Sequence, residues 1–537
     1  MVRPYVLGVS TPIVLDPNVL PYYALRTVSR LFIALGFSLL FTLVVGAFAA
    51  KNKRAERLII PAIDVLQSVP VLSFLAISIT GFIHFFPHSL LGPECASLFV
   101  IFTAQVWNMT FGLYQSLKRV PNDLREAAAM FQLSRWQYFW KVEVPFAMPS
   151  LLWNAMMSMS ASWFFVVLSE ALVVANQDIR LPGIGSYIAL AIERHDLTAI
   201  GYAMLTMVVV IFLYDQLLFR TLMAWSEKFK ADPSIEGEEA QSWMIDLLRR
   251  SRLMKQVHWG LGVLKDKFIN GFSRPRQGIL LMRVVNSARE QRIDWLFGVL
   301  VGTLSLVGAT VLIKYILSMI PIQDIIHVFW LGALTGTRVI VLIFLSSLVW
   351  IPVGVWIGMR PRFAQKIQPA IQFLAAFPAN LVYPLFVIAI VRFHLSVEIW
   401  VTPLMILGTQ WYILFNVIAG ASMIPRDLCL VADNFGVRRW QWWRKLALPG
   451  IFPYFITGAI TAAGGAWNAS IVAEWVSWGS TTLKATGLGA YIQESTMAGD
   501  FPKIALGTAM MCVYVLFFNH MLWRPLYRLA DQRYHCA

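Results

Sequence analysis

Residues Arg125–Pro149 read REAAAMFQLSRWQYFWKVEVPFAMP, and Asp427–Pro453 read DLCLVADNFGVRRWQWWRKLALPGIFP. Each is a polar, basic interlude between two apolar runs. Prolines bound both copies, Pro121 and Pro145 around the first and Pro425 and Pro449 around the second, and limit where a helix can start or stop. The prolines, Arg135/Arg439, Trp136/Trp440 and Lys141/Lys445 all pair at one spacing, 304 residues. A polar segment repeated between apolar runs points to an element gripped twice by something outside a bilayer.

Working outward, the apolar runs decide the class. The 537 residues are 58 % hydrophobic and 14 % charged, more apolar material than a water-soluble core needs. A helix rises about 1.5 Å per residue and must cross roughly 30 Å of hydrocarbon. Eleven runs are long enough: 31–50, 65–86, 96–117, 148–169, 197–214, 295–313, 339–359, 371–391, 399–424, 451–473 and 504–523. The expectation is an all-α polytopic membrane protein with about eleven transmembrane helices.

The net charge of +15 raises nucleic acid as a partner, but its distribution argues against it. Threading the eleven spans alternately puts 34 of the 44 Lys and Arg residues on one side. That positive-inside bias assigns the richer side to the cytosol. It makes the N-terminus extracytosolic and the C-terminus cytosolic, and it places both polar segments in the cytosol. Met1–Pro21 has no continuous apolar core, so no cleavable signal is expected. Cys95, Cys429, Cys512 and Cys536 form no CxxC pair, and no metal site is expected.

The second half repeats the first. Upstream of the polar segment the offset is 308, as in Thr27/Thr335, Arg30/Arg338, Gly46/Gly354, Pro61/Pro369 and Pro70/Pro378. Downstream it is 304, as in Trp163/Trp467, Glu170/Glu474, Gly183/Gly487, Gly185/Gly489, Tyr187/Tyr491 and Asp196/Asp500. The difference falls in the outer loops 84–95 and 392–398. Each unit has five core spans, an odd number, so the extra span 295–313 returns the chain to the outer side. The two units are therefore parallel, related by a pseudo-twofold along the membrane normal. The expected divisions are a first half 1–230 (core spans 31–214, polar loop 118–147), a basic linker 231–293, and a second half 294–537 (core spans 339–523, polar loop 425–450). In the linker, Trp243, Ile245, Leu247, Leu248 and Leu253 alternate with Arg249, Arg250, Arg252 and Lys255. That suits a helix on the inner membrane surface; a plain connector and a regulatory segment are the two readings of its role.

Several residues have a functional and a bland reading. Arg135-Trp136 and Arg439-Trp440 suit an interface hot spot, or the headgroup belt where both types are common. Glu170 and Glu474 end matching spans and read as gate or helix-positioning groups, or as boundary carboxylates. Trp163 and Trp467 precede them in the same spans. Gly183, Gly185, Gly487 and Gly489 allow a close approach to the axis, or an ordinary turn. Arg30 and Arg338 read as interfacial, snorkelling side chains before an anion-attracting role. His84, His88 and His394 read as outer-loop residues.

The two polar segments together resemble the EAA loop of binding-protein-dependent ABC importer permeases: Glu-Ala-Ala, three residues, Gly, nine residues, then an apolar-x-Leu-Pro ending. The first copy has Glu126-Ala127-Ala128, Gln132 in place of Gly, and Val142-Glu143-Val144-Pro145. The second keeps Ala432, Gly436 and Leu446-Ala447-Leu448-Pro449 but has Leu430-Val431 in place of Glu-Ala. Ser/Thr-x-x-Arg, Pro-x(8)-Pro, the Trp before Glu, and Gly-x-Gly-x-Tyr are similar to the nitrate/sulfonate/taurine/bicarbonate-type permeases over 27–228 and 325–528. The fusion departs from that family, whose usual permease is a separate, dimerising half.

The resemblance implies a fused, two-half permease in the inner (cytoplasmic) membrane of a prokaryote, passing a small anionic solute. Glu126, Ala127, Ala128, Arg135, Trp136, Ala432, Gly436, Arg439 and Trp440 would dock two ATPase subunits, identical or different. Trp163, Glu170, Gly183, Gly185, Trp467, Glu474, Gly487 and Gly489 would belong to the path or its gate. A periplasmic or lipid-anchored solute-binding protein would deliver the solute. The chain has no GxxxxGK[ST] motif, so ATP and Mg would be bound by partner subunits and not by this chain. The alternative from another class is a secondary transporter or channel working without ATP. A membrane enzyme lacks a convergent His, Asp or Cys set.

Overall fold

In hydrocarbon a helix satisfies its own backbone polar groups, and the apolar runs fold accordingly. The structure, a computed structural model, describes residues 12–226 and 287–533, apart from 88, 175–176 and 479–480, together with 267, 269 and 271. The surface helix expected within 226–293, Met1–Thr11, His88 and Cys536 lie outside the described residues.

The first half comprises α1 (Pro17–Lys51), α2 (Lys53–Ser68), α3 (Leu75–Phe85), α4 (Leu91–Lys118), α5 (Asn122–Met130), α6 (Arg135–Glu170), a hairpin of β1 (Ala171–Val174) and β2 (Gln177–Arg180), α7 (Ile184–Glu193) and α8 (Leu197–Ser226). After α9 (Ser287–Met319) the plan repeats as α10 (Ile322–Gly358), α11 (Pro361–Ala376), α12 (Tyr383–Arg392), α13 (Val397–Ser422), α14 (Arg426–Asn434) and α15 (Trp440–Ala473). The hairpin of β3 (Trp475–Trp478) and β4 (Thr481–Lys484), α16 (Leu488–Ala498) and α17 (Phe501–Ala530) complete it. Even the caps repeat: Asp196 accepts from the Ala199 N–H at 2.9 Å and Asp500 from the Lys503 N–H at 3.2 Å. Single π-helical turns recur at Phe139–Glu143 and Trp443–Ala447, and at Asp215–Phe219 and Asn519–Trp523.

Among the described residues, nine helices are long and apolar enough to cross a membrane, or ten if the bent pair Lys366–Ala376 and Ala379–Arg392 counts as one span. The other expected run, 65–86, is the matching place in the first half, where α2 and α3 are parted at Val69-Pro70. These two spans are broken, because proline lacks the N–H that would continue the ladder. The second pair bends by 63°. The extra helix α9 leaves Leu300, Leu304, Val307 and Val311 exposed, as a lipid-facing helix does.

The breaks join the halves. Val71, Leu72, Leu75 and Ile79, just past Pro70, are buried in one cluster with Ala462, Ala466, Ile504 and Met511 of the second half. Reciprocally, Ala376 and Leu381, flanking Pro378, are buried with Met156, Met159 and Trp163 of the first. The Thr508 hydroxyl donates to the Ser73 carbonyl at 3.2 Å across this seam.

Candidate functional site

The two polar segments fold as short helices standing off the bundle. In each, a proline (Pro121, Pro425) occupies the position before the helix, and an aspartate (Asp123, Asp427) sits in the first turn, where the helix dipole favours it. One alanine faces inward in each copy, Ala128 and Ala432, 7 % and 8 % exposed. The helix then ends on a left-handed residue that closes the last turn. Gly436 takes φ +62° with no steric objection, whereas Gln132 holds φ +50° at the matching place. A degenerate motif thus keeps the degenerate residue in the glycine's conformation.

The rest of each helix faces outward. Phe131 and Phe435 are 79 % and 82 % exposed, beside Met130 in the first copy and Leu430 and Val431 in the second. Glu126 is exposed and Ala127 half-buried. The return into the membrane differs between copies. Ser134 accepts from the Gln137 N–H and Gln137 from the Ser134 N–H, a capping box that starts α6 at the exposed Arg135. At the matching place stands Arg438, which has no such oxygen to offer. Arg439 is held at φ +54°, and α15 starts one residue later at Trp440, 71 % exposed. Trp136 instead packs edge-on against Trp140, with ring centroids 5.7 Å apart.

At the opposite end each half holds an ionic clamp. Arg30, fully buried, donates from Nε and Nη2 to Glu94 at 2.7 and 2.8 Å, and from Nη1 to Glu170 at 2.6 Å and the Pro182 carbonyl at 3.0 Å. Glu170 also accepts from the Thr27 hydroxyl at 2.7 Å and the Gly185 N–H at 2.8 Å. Arg26 adds a third bond to Glu94. The second half repeats it: Arg338 donates to Glu474 at 2.8 Å and to Glu398, while the Thr335 hydroxyl and the Gly489 N–H reach Glu474 at 2.8 Å each.

Glycine is required at the first position of this loop by space. A Cβ on Gly183 or Gly487 would overlap the carboxylate of Glu170 or Glu474.

The clamp overturns one expectation and decides between two pairs of readings. Arg30 and Arg338 do not snorkel, because α1 and α10 begin well before them and hold them mid-helix, Arg30 buried and Arg338 half-buried, each paired with glutamates. Glu170 and Glu474 are not boundary carboxylates: both are 0 % exposed and fully partnered within their own half. The glycines are not in plain turns, since Gly185 and Gly489 donate to the buried glutamates across a β-hairpin that pairs Ala171 with Arg180 and Trp475 with Lys484. Trp163 and Trp467 lie in the cores, Trp163 edge-on to Tyr214 and Trp467 stacked on Tyr514.

Sequence reasoning missed Glu94 and Glu398. Both stand just past the outer-loop length change, at the downstream offset of 304, and that offset carried across the gap would have found them.

Residues 42–228 and 350–534 both match the family described as binding-protein-dependent transport system inner membrane component. The chain is 26 % identical over 194 residues to a nitrate import permease protein of Leptolyngbya laminosa, covering 36 % of this chain and 66 % of that one. It is 27 % identical over 196 residues to a bicarbonate transport system permease protein of Synechococcus elongatus, covering 36 % and 67 %. It therefore spans just under two thirds of that nitrate permease's length. A trimethylamine N-oxide transport system permease protein of Pelagibacter ubique is 21 % identical over 540 residues, covering 93 % and 70 %. With two matches in tandem, in two halves of one architecture, the chain belongs to the binding-protein-dependent transport system inner membrane component family, as a fused permease.

Proposed function

We propose that this chain is a two-half permease subunit of an ATP-driven importer in the cytoplasmic membrane, with α5 and α14 seated in two ATPase subunits that bind ATP and Mg. The observation that carries the reading is the pair of exposed apolar helix ends. Phe131 and Phe435 project at matching places beside polar backbone turns, on the side that the positive charge assigns to the cytosol. Large apolar side chains in water mark a surface that a partner covers. ATP shifts the permease between states only to the extent that the partners bind it differently in each.

The relatives named for nitrate and bicarbonate support a small anionic solute, delivered by an extracytosolic binding protein. Arg30 and Arg338 do not supply anion selectivity, since both are occupied by glutamates of their own half.

Co-expression of the chain with its candidate ATPases tests the reading. The chain alone hydrolyses no ATP, the assembly does, and Arg135→Glu or Arg439→Glu reduces ATPase retention on affinity purification. Unchanged retention in both variants returns the Arg-Trp pairs to the headgroup belt. Solute flux that persists without ATP overturns the importer.

A further inference from the structure

Beside the second docking helix lies a recess of about 450 Å³ lined by Arg360, Arg362, Phe363 and Arg426. Three guanidinium groups converge on it. Arg360 donates to the Trp356 carbonyl at 2.9 Å and stacks over the Trp356 ring at 4.6 Å, and among the described residues none of the three arginines is in an ion pair. Two helices, α11 and α14, begin at its edge with Arg360 and Pro425 at their first caps, so their positive ends add to the field. Like charges gathered around a hollow repel one another unless an anion sits among them.

The recess is not a by-product of the repeat. At the matching places in the first half stand Asn52, Arg54, Ala55 and Asn122, which keep one cation of three and lose the aromatic ring. Phe363 packs edge-on against Trp356, 51 % exposed, with ring centroids 5.0 Å apart. An aromatic pair at the end of a spanning helix is the pattern of a membrane–water interface.

We propose that this recess binds a phosphate-bearing anion, held by the forked donors of Arg360, Arg362 and Arg426. Because Arg426 is the first residue of α14, the bound anion ties the second docking helix, and only that one, to the root of α11. A lipid headgroup and a free phosphate present the same oxygens, and the experiment separates them.

The full chain is purified in a neutral detergent. Retention of phosphatidylglycerol and phosphatidylcholine is read by native mass spectrometry, and the melting midpoint is read with and without inorganic phosphate. Wild type retains phosphatidylglycerol over phosphatidylcholine, and Arg362→Gln and Arg426→Gln each lower that retention about fivefold. Arg528→Gln, an exposed basic position on α17 outside the recess, leaves it unchanged. A midpoint raised by inorganic phosphate in wild type, and not in Arg426→Gln, assigns the site to a free phosphate instead of a headgroup. Equal retention of both lipids with no phosphate effect overturns the proposal, as does a loss in Arg528→Gln as large as that in Arg426→Gln.

Discussion

Glu94 and Glu398 hold the same place in the two clamps, yet their side chains are 1 % and 49 % exposed. Glu94→Ala takes one of two carboxylates from Arg30, itself 1 % exposed, and leaves a buried guanidinium facing Glu170 and one carbonyl. Breaking a buried pair costs about 3–5 kcal/mol, and the retained Glu170 puts this case near 3 kcal/mol. Glu398→Ala removes a carboxylate already half in water, and water replaces it at a cost of about 1 kcal/mol. The gap of about 2 kcal/mol corresponds to roughly 4–8 °C for a cooperative unit of about 200 residues. Size-exclusion recovery after heating detergent-solubilised protein measures it. Glu94→Gln, which keeps one acceptor, falls between wild type and Glu94→Ala. Equal losses at 94 and 398 would refute the assignment of the clamp's strength to burial. A folded Glu170→Gln protein with wild-type stability and no transport would make that residue a gate instead of a staple.

Removing the capping box by Ser134→Ala costs about 1 kcal/mol, expressed as faster amide exchange over residues 135–143; unchanged exchange means the π-turn and its packing hold the segment unaided. A pH dependence follows from Glu56, which lies outside the spans and accepts from Lys118 at 2.7 Å and from the Tyr114 hydroxyl at 2.5 Å. The Lys118 bond, then the Tyr114 bond, hold its carboxyl below the usual range, so its contribution is present above the unfolded value and lost as pH falls through the folded one. The difference in melting midpoint between wild type and Glu56→Gln is therefore constant near neutral pH and narrows as pH falls through and below the usual carboxylate range; a gap that does not narrow on acidification removes Glu56 from the account.

The spans, their pairing and the extra helix were legible because membrane crossing demands long charge-free runs and the repeat supplies an internal control. The clamp was half legible. Glu170 and Glu474 drew notice as ionisable groups beside apolar runs, but their partners did not. Read from charge alone, a span begins at residue 31 and leaves Arg30 outside it. The helix in fact begins at Pro17, whose fixed φ suits a first turn, and runs through Arg30. A single sequence cannot show that a buried cation is matched by glutamates 64 and 140 residues away. The hairpins escaped for another reason: the span is read to end at residue 169, and the apolar Ala171-Leu-Val-Val174 with Gln177–Arg180 shows no alternation or turn signal that marks a strand pair within an outer loop.

The divergence between the halves has a direction. At the end bearing α5 and α14, the first half is bound by ion pairs: Lys51 to Glu143 at 2.6 Å, with the same Lys51 over the Phe139 ring, and Lys118 to Glu56. The matching positions in the second half are Met359, Ala447, Trp443, Ser422 and Ala364, which cannot form those pairs. What the second half has instead is a cluster of arginines with no ion pair among the described residues, and an α14 with Leu430 and Val431 where α5 has Glu126 and Ala127. Two identical chains meeting about an axis could not diverge this way, since any change would appear on both sides. Fusion removes that constraint, while the reciprocal burial of the Pro70 and Pro378 breaks keeps the halves in one register. The membrane seam therefore holds the twofold that the ends bearing α5 and α14 have abandoned, and those two ends present different surfaces.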